Sequence, residues 1–281
     1  MRLKSGRGIA LFILCAWMIF TIFPFFWALL TSLKPPVQAA EIPPKLVFKP
    51  DFSNYVAVLF GGKGGFYTIV QEGFFKFFLN SFSVASLTTL LTLLLGTMSS
   101  YYLSRTKIGG EKFNLWILSF RMMPPIAVII PFYIMLSFIG LVDSIFSLVL
   151  IYTIFNLPLS IWFISAYIDS IPESYEQMAL IDGHSRWGVF WRIIVPMAKP
   201  AILISGLLVF IFSWNEFLFA LILTGFKSKT LPVLATGFIT QRGIIWGQLT
   251  ATAIIITIPI FLLTLFTQKY LIKGLSLGIK N

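Results

Sequence analysis

Six separate stretches of this chain are each long and apolar enough to cross a lipid bilayer as a helix, and they constrain its fold more than any other feature. They run over about 9–31, 81–103, 113–138, 145–168, 201–223 and 249–272. At 1.5 Å of rise per residue, about 20 predominantly apolar residues traverse the hydrocarbon core. A water-soluble core has no room for six such runs. Hydrophobic residues make up 58% of the 281 and charged residues 11%, against about 45–50% and about 25% in soluble domains. Lipid offers no hydrogen bonds, so each segment must satisfy its own backbone, and the helix is the way a single segment does so. The expected fold is therefore an all-α membrane protein, one transmembrane domain over 1–281. Pro24, Pro124, Pro125, Pro131, Pro158 and Pro259 fall inside the runs and are expected as kinks.

Six crossings put both ends on one side. With the N-terminus inside, the inner segments carry Arg2, Lys4 and Arg7, then Arg105, Lys107 and Lys112, then Arg186, Arg192 and Lys199, then Lys269, Lys273 and Lys280. The outer segments carry Lys34, Lys45, Lys49, Lys63, Lys76, Lys227, Lys229 and Arg242. The inner set is larger and lies close to the span ends, which predicts N-in, C-in. The net charge of +11 thus reads as topology signals and headgroup contacts. It is not a nucleic-acid surface, because no basic stripe with interleaved exposed aromatics exists. The run from Ile9 to Leu30 is too long for a signal-peptide core and ends in no small-residue cleavage site, so a retained first span is expected. Cys15, the single cysteine, has no partner for an internal disulfide.

Three connections exceed a tight turn. Two are outer: one carries Pro35-Pro36, Pro43-Pro44 and the glycine run 61–65, and the other, Thr224–Gln248, carries Thr230-Leu231-Pro232 and Trp246. The third is the inner segment 169–200. Ser170 with Glu173 has the spacing of a capping box, and Pro172 suits a first turn. A short helix is expected from there to Gly183, whose lack of a Cβ permits a left-handed turn. Ser185 then caps a second helix with Trp187, Phe190, Trp191 and Ile194 on one face, ended by Pro196. Such a helix–turn–helix either rests its aromatic face among lipid headgroups or inserts into a cytoplasmic partner.

This inner loop resembles the EAA loop of ATP-binding-cassette import permeases, in which Glu-Ala-Ala, three residues and Gly precede Ile-x-Leu-Pro by nine residues. Gly183 and Ile193-Ile194-Val195-Pro196 stand at the matching positions, while Gln177, Met178 and Val195 depart from the pattern and Glu176 lies one residue early. The resemblance extends along almost the whole chain. Asn80-Ser81, Tyr101-Tyr102-Leu103-Ser104-Arg105, Met123-Pro124, Leu157-Pro158, Ile181-Asp182-Gly183, Ser213-Trp214-Asn215-Glu216-Phe217, Thr230-Leu231-Pro232 and Gln268-Lys269-Tyr270 follow in order, with Gly274, Gly278 and Lys280 at the tail. The chain looks like the G-type permease of maltose-like carbohydrate importers.

That resemblance implies a subunit of an ATP-driven, binding-protein-dependent sugar importer in the plasma (inner) membrane of a prokaryote. Its partners would be a second, non-identical permease, two ATPase subunits and an extracytoplasmic solute-binding protein. The chain would hold no cofactor, with ATP and Mg on the ATPase. The helix Glu173–Asp182 would sit in an ATPase cleft, with Glu173, Tyr175, Glu176, Gln177, Met178, Ala179, Asp182 and Gly183 as coupling residues. Tyr175, Met178, Ala179 and Asp182 would form its docking stripe. Consistently, no Gly-x-x-x-x-Gly-Lys-Ser/Thr phosphate cradle occurs in the chain.

Glu216 falls deep in the fifth run, where an ionised carboxylate at the bilayer centre costs about 2.5–3.5 kcal/mol. With Trp214 and Asn215 it is a candidate for lining the translocation pathway, since aromatic faces and amides suit hydroxylated rings. Arg121, near the inner third of the third run, is expected to snorkel toward headgroups or to pair with an inner-side carboxylate. His184 stands alone and points to contact with the ATPase before any metal. A gradient-driven secondary transporter or channel is the alternative, and it requires clustered intramembrane charges. Only Glu216 and Arg121 offer them, from different parts of their spans. An enzyme lacks a paired nucleophile and base or a metal set.

Overall fold

The computed structural model describes residues 2–61, 73–241 and 243–277. Most of the glycine run 61–65, Lys63, Arg242, Gly278 and Lys280 lie outside the described residues. The main helices are α1 (Arg2–Ser32), α2 (Ser53–Phe60), α3 (Phe74–Thr106), α4 (Gly110–Ser119), α5 (Pro125–Phe138), α6 (Ile145–Asp169), α7 (Ser174–Ile181), α8 (Arg186–Met197), α9 (Lys199–Trp214), α10 (Leu218–Leu223), α11 (Leu231–Thr236) and α12 (Trp246–Leu277). A small hairpin pairs β1 (Ile239–Thr240) with β2 (Gly243–Ile244).

Four helical segments are long and apolar enough to cross a membrane unbroken: Gly8–Ser32, Phe74–Thr106, Ile145–Asp169 and Trp246–Gln268. They coincide with the first, second, fourth and sixth expected runs. The third and fifth runs are each divided, which corrects the sequence reading: Lys112–Met122 and Pro125–Phe138 meet at 80°, and the fifth run is split between Lys199–Trp214 and Leu218–Leu223. Ahead of the fifth run, Arg186–Met197 of the inner loop meets Lys199–Trp214 at 74°. The count is thus four, or up to six if each bent pair is one crossing.

Both bends have local causes. A proline forces the residue before it out of the helical region. Met123 and Pro124, each preceding a proline, accordingly adopt ψ 124 and ψ 122, which ends one helix and starts α5. Pro196 was expected to stop α8 but lies inside it. Having no N–H, it cannot bond to the Arg192 carbonyl. The preceding turn widens over Phe190–Ile194 into a π turn, where the Val195 N–H donates to the Phe190 carbonyl. The bend falls two residues later, at Ala198.

Contacts divide the chain into two compact units, Met1–Lys76 with Leu234–Pro259, and Phe77–Val233 with Ile260–Asn281. In the first, the Asn54 amide donates to the carbonyls of Ser32 (3.0 Å) and Lys34 (2.7 Å), and the Ser32 and Tyr55 hydroxyls share a bond at 2.7 Å. Gly247 packs on the Asn54 side chain so closely that a Cβ there would collide with it. Lys34, read from the sequence as an outer-loop charge, is buried, with its ammonium 5.4 Å from the ring centroids of both Trp27 and Phe48. By contrast the faces of α1 from Ile9 to Phe26 are exposed all round, the pattern of a helix whose solvent is lipid or another chain.

The second unit holds α3, α6 and α9 together through small residues. Ser160 packs against Gly96 and bonds to Ser205 at 3.0 Å, Ser100 donates to the Ile161 carbonyl, and Gly206 faces Leu93. Helices in lipid associate by such close approach, because hydrophobic burial gives little driving force there. Two clusters flank this seam. One gathers Val84, Ile129, Leu148, Ile151, Phe219 and Leu223. The other gathers Ile164, Ile168, Ile171, Ala179, Val189 and Ile194, seating α7 and α8 on the ends of α3 and α6.

Candidate functional site

Two places in the second unit concentrate the residues singled out from the sequence. The first is the inner loop. Gly183 ends α7 at φ +86, as expected, and Ser185 caps α8 by accepting the Gly188 N–H at 3.1 Å. The capping box does not form: the Ser170 hydroxyl turns back to the Tyr167 carbonyl, and Glu173 begins α7 without a side-chain cap. Ser170 thus finishes α6, because its hydroxyl reaches the last free carbonyls of that helix more readily than the N–H groups of the next.

Helical geometry sorts α7 into two faces. Tyr175, Gln177, Met178, Ile181 and Asp182 are exposed, with Glu173 beside them, whereas Glu176 and Ala179 are buried. Ala179 therefore belongs to the core side and not to the expected docking stripe. The expected aromatic face of α8 also splits. Phe190 and Ile194 are buried, with Phe190 5.2 Å from the Tyr101 ring, while Trp187 and Trp191 stay exposed.

Glu176 is the residue whose role the sequence did not disclose. Its Oε1 accepts from Arg105 Nε, and its Oε2 accepts from the Tyr101 hydroxyl at 2.8 Å. Arg105 also donates to the carbonyls of Ile168 and Ile171, at the end of α6 and just beyond it. The ends of three elements are thus tied at one guanidinium. Only 15% of the Arg105 side chain and 11% of that of Glu176 reach solvent, so removing either partner would strand a buried charge, at a cost of about 3–5 kcal/mol. A signal was present in the sequence, since Tyr101 and Arg105 both lie in the string that closes the second run.

The second place is a cavity of about 230 Å³ among α6, the α4–α5 break and the α9–α10 break. Glu216 lies in that last break and not within a continuous helix. Its carboxylate accepts the N–H groups of Phe219 (2.9 Å) and Ala220 (3.2 Å) and the Tyr152 hydroxyl (2.6 Å). Arg121, expected to snorkel, donates instead to the Phe155 carbonyl and Asn156 Oδ1, each at 3.0 Å, and lies 4.3 Å from the Phe212 ring centroid. Arg121 and Glu216 therefore line one cavity, although their spans suggested separation. The expected trio is divided: Trp214 is buried on Phe210 and Phe78, and the exposed Asn215 caps its own helix through the Ile211 carbonyl.

Two family strings far apart in sequence meet in the same unit. The Asn80 amide donates to the carbonyls of Lys227 (3.0 Å) and Lys229 (2.9 Å), and Ser81 accepts the Leu231 N–H at 2.8 Å. Asn80-Ser81 is the anchor of the Thr230-Leu231-Pro232 turn. Asp143 holds the start of that loop. Burial alone would raise its carboxyl, but bonds from Gly225 N–H, the Ser228 hydroxyl and the N–H groups of Lys227 and Ser228 outweigh it, leaving the pKa at about 2.

Residues 92–277, which include the inner loop, both broken helices and the cavity, match the family model described as binding-protein-dependent transport system inner membrane component. The chain belongs to that family. It is thus an inner-membrane protein with several apolar helices, a permease by its relatives. It is 33% identical over 264 residues to the trehalose/maltose transport system permease protein MalG of Thermococcus litoralis (92% of this chain, 91% of that one). It is 33% identical over 265 residues to the trehalose transport system permease protein SugB of Mycobacterium tuberculosis (92% of each). Among solved structures, a bacterial ABC transporter that imports alginate matches with a TM-score of 0.74, 23% identity and coverage of 96% of this permease and 98% of that chain, which establishes the fold.

Proposed function

We propose that this permease is one of two non-identical membrane subunits of an ATP-driven importer that receives a sugar from an extracytoplasmic binding protein. Its relatives named for trehalose, maltose and arabinooligosaccharide transport support the substrate class. A related alginate transporter has been solved with an oligosaccharide-loaded periplasmic protein, which supports the partner. Two ATPase subunits carry ATP and Mg. The chain crosses the membrane six times with both termini inside, the third crossing bent at Pro124-Pro125 and the fifth running through α9 and α10 after the inner loop.

The observation that carries the coupling assignment is the two-sidedness of α7. One face, with Tyr175, Met178 and Asp182, is exposed at the surface, while Glu176 and Ala179 bind the helix rigidly to the ends of α3 and α6. A helix fastened on one side and open on the other transmits a push. When the ATPases close, the load on the exposed face passes through the Arg105–Glu176 bond into α3 and α6, biasing a two-state equilibrium of the spans. Ala179 acts here from within, its small side chain letting α7 approach the cluster around Ile168.

The test is a mild-detergent purification of the tagged chain expressed with its neighbouring genes. Recovery of a second multi-span protein and a P-loop ATPase, with sugar-stimulated ATP hydrolysis, is the expected result. A chain that purifies without any ATPase would return the loop to an interfacial hairpin and favour gradient-driven transport. Within the assembled complex, Gly183→Asp should abolish uptake while the protein still inserts.

A further inference from the structure

The cavity at the two helix breaks has features that neither structural packing nor coupling requires. Arg121 is permanently charged, and only its Nη1 has acceptors, the Phe155 carbonyl and Asn156. Its Nε and Nη2 donors have none among the described residues. Glu216 accepts three hydrogen bonds, whereas a carboxylate offers about four acceptor sites. Both side chains remain partly accessible. A guanidinium and a carboxylate open to hydrocarbon would be costly at this depth, so the mouth of the cavity faces water or a polar ligand. The rings of Phe155 and Phe219, with centroids 5.0 Å apart, form part of the wall.

We infer that this cavity binds a single neutral sugar ring during translocation, with Arg121 donating to its hydroxyl or ring oxygens and Glu216 accepting from a hydroxyl. The inference rests on the reading of the chain as a sugar permease and adds to it the site and the charge class. Three observations select that ligand. The free valences are donors and an acceptor together, which is what a hydroxylated ring satisfies at once. Apolar ring walls with a few convergent polar groups are the usual make-up of a small-molecule pocket. The charges cancel, so an acidic sugar drawn to Arg121 would meet Glu216 beside it. The volume of about 230 Å³ is below the range of about 300–1,000 Å³ typical of drug-sized ligands, so one ring fits and a whole oligosaccharide does not. A longer substrate would pass ring by ring.

The experiment uses the complete importer in proteoliposomes, with Cys15→Ser as background and Ser213→Cys as the reporter, since Ser213 lines the cavity. The probe is a charged methanethiosulfonate reagent. The protecting ligand is whichever of trehalose, maltose or an unsaturated di-uronate the importer takes up fastest. The inference expects Ser213→Cys to react and a transported neutral sugar to slow the reaction at least threefold. An equal rate with and without sugar would mean a cavity that holds water only and would overturn it. So would a site that never reacts, as when the second permease fills the cavity, and so would protection by the di-uronate alone. Arg121→Gln and Glu216→Gln should each lower uptake at least tenfold while binding-protein-stimulated ATP hydrolysis stays within twofold. A variant that loses both activities has failed to assemble, and the protection measurement then decides. Normal sugar uptake without protection would defeat this site alone. Absence of any ATPase partner would defeat the broader reading instead.

Discussion

Glu176, in the inner loop, and Glu216, at the cavity, are both acidic residues drawn into the helical body, and they are held by opposite kinds of partner. Glu176 is paired with a cation from another element and with a tyrosine beside it, so its bonds join α7 to α3, and through Arg105 to the end of α6. Two of the three bonds to Glu216 come from backbone N–H groups of the helix it starts, and only Tyr152 reaches it from elsewhere. The first arrangement is a fastening between elements. The second is a local cap that leaves acceptor capacity over, next to a cation that also has donors to spare. The cations carry the contrast: all three guanidinium nitrogens of Arg105 are engaged, to α7, to its neighbour Ser104 and to the end of α6, whereas only Nη1 of Arg121 has acceptors among the described residues.

The largest expected effect separates the two. Arg105→Ala should destabilise the purified complex by about 3–5 kcal/mol, because it leaves Glu176 buried without its counter-charge. Thermal unfolding in detergent reads the loss, and uptake should fall with it. Tyr152→Phe removes one hydrogen bond to a carboxylate that keeps two N–H donors, so a loss of about 1.5–3 kcal/mol is expected in the same assay. If Tyr152→Phe costs as much as Arg105→Ala, Glu216 is a fastening too and the contrast fails.

Asp143 offers a third carboxylate, outside the spans and bonded only to the backbone and hydroxyl of one loop. Its pKa of about 2 lies below the ordinary 3.8. The folded state therefore favours its charged form. The stability it contributes is complete above pH 3.8 and is lost as the pH falls from there through about 2. Denaturation followed between pH 5 and 2 should show a shallower acid limb for Asp143→Asn, and an unchanged limb would mean the loop bonds do not bias its ionisation. The smallest effect is expected at Gly183. Its left-handed φ of +86 has open space around the Cβ position, so Gly183→Ala should cost only about 1–2 kcal/mol of backbone strain. Gly183→Asn should be milder still. Uptake retained by Gly183→Asn but lost in Gly183→Asp would assign the defect to charge at the exposed face of the loop and not to the turn.

Much of this was legible in the chain itself. Apolar runs of more than 20 residues dictate helices in lipid because no other segment satisfies its backbone alone, and four of them appear unbroken where the runs lie. Gly183 and Ser185 act at short range, so the turn between α7 and α8 followed from residue type. Pro124-Pro125 marked a kink, though its size of 80° depends on the packing either side. What tertiary structure decided were the outcomes in which one local preference met a competitor from far along the chain. Ser170 could cap either neighbouring helix and closes α6. Pro196 could end α8 or be absorbed, and a π turn absorbs it. Ala179 and Glu176 were on the surface of an isolated helix until the ends of α3 and α6 covered them. Above all, no periodicity places Arg121 beside Glu216, or Asn80 beside Lys227 and Lys229. Such pairings depend on where broken helices and loops return, and only the packed molecule fixes that.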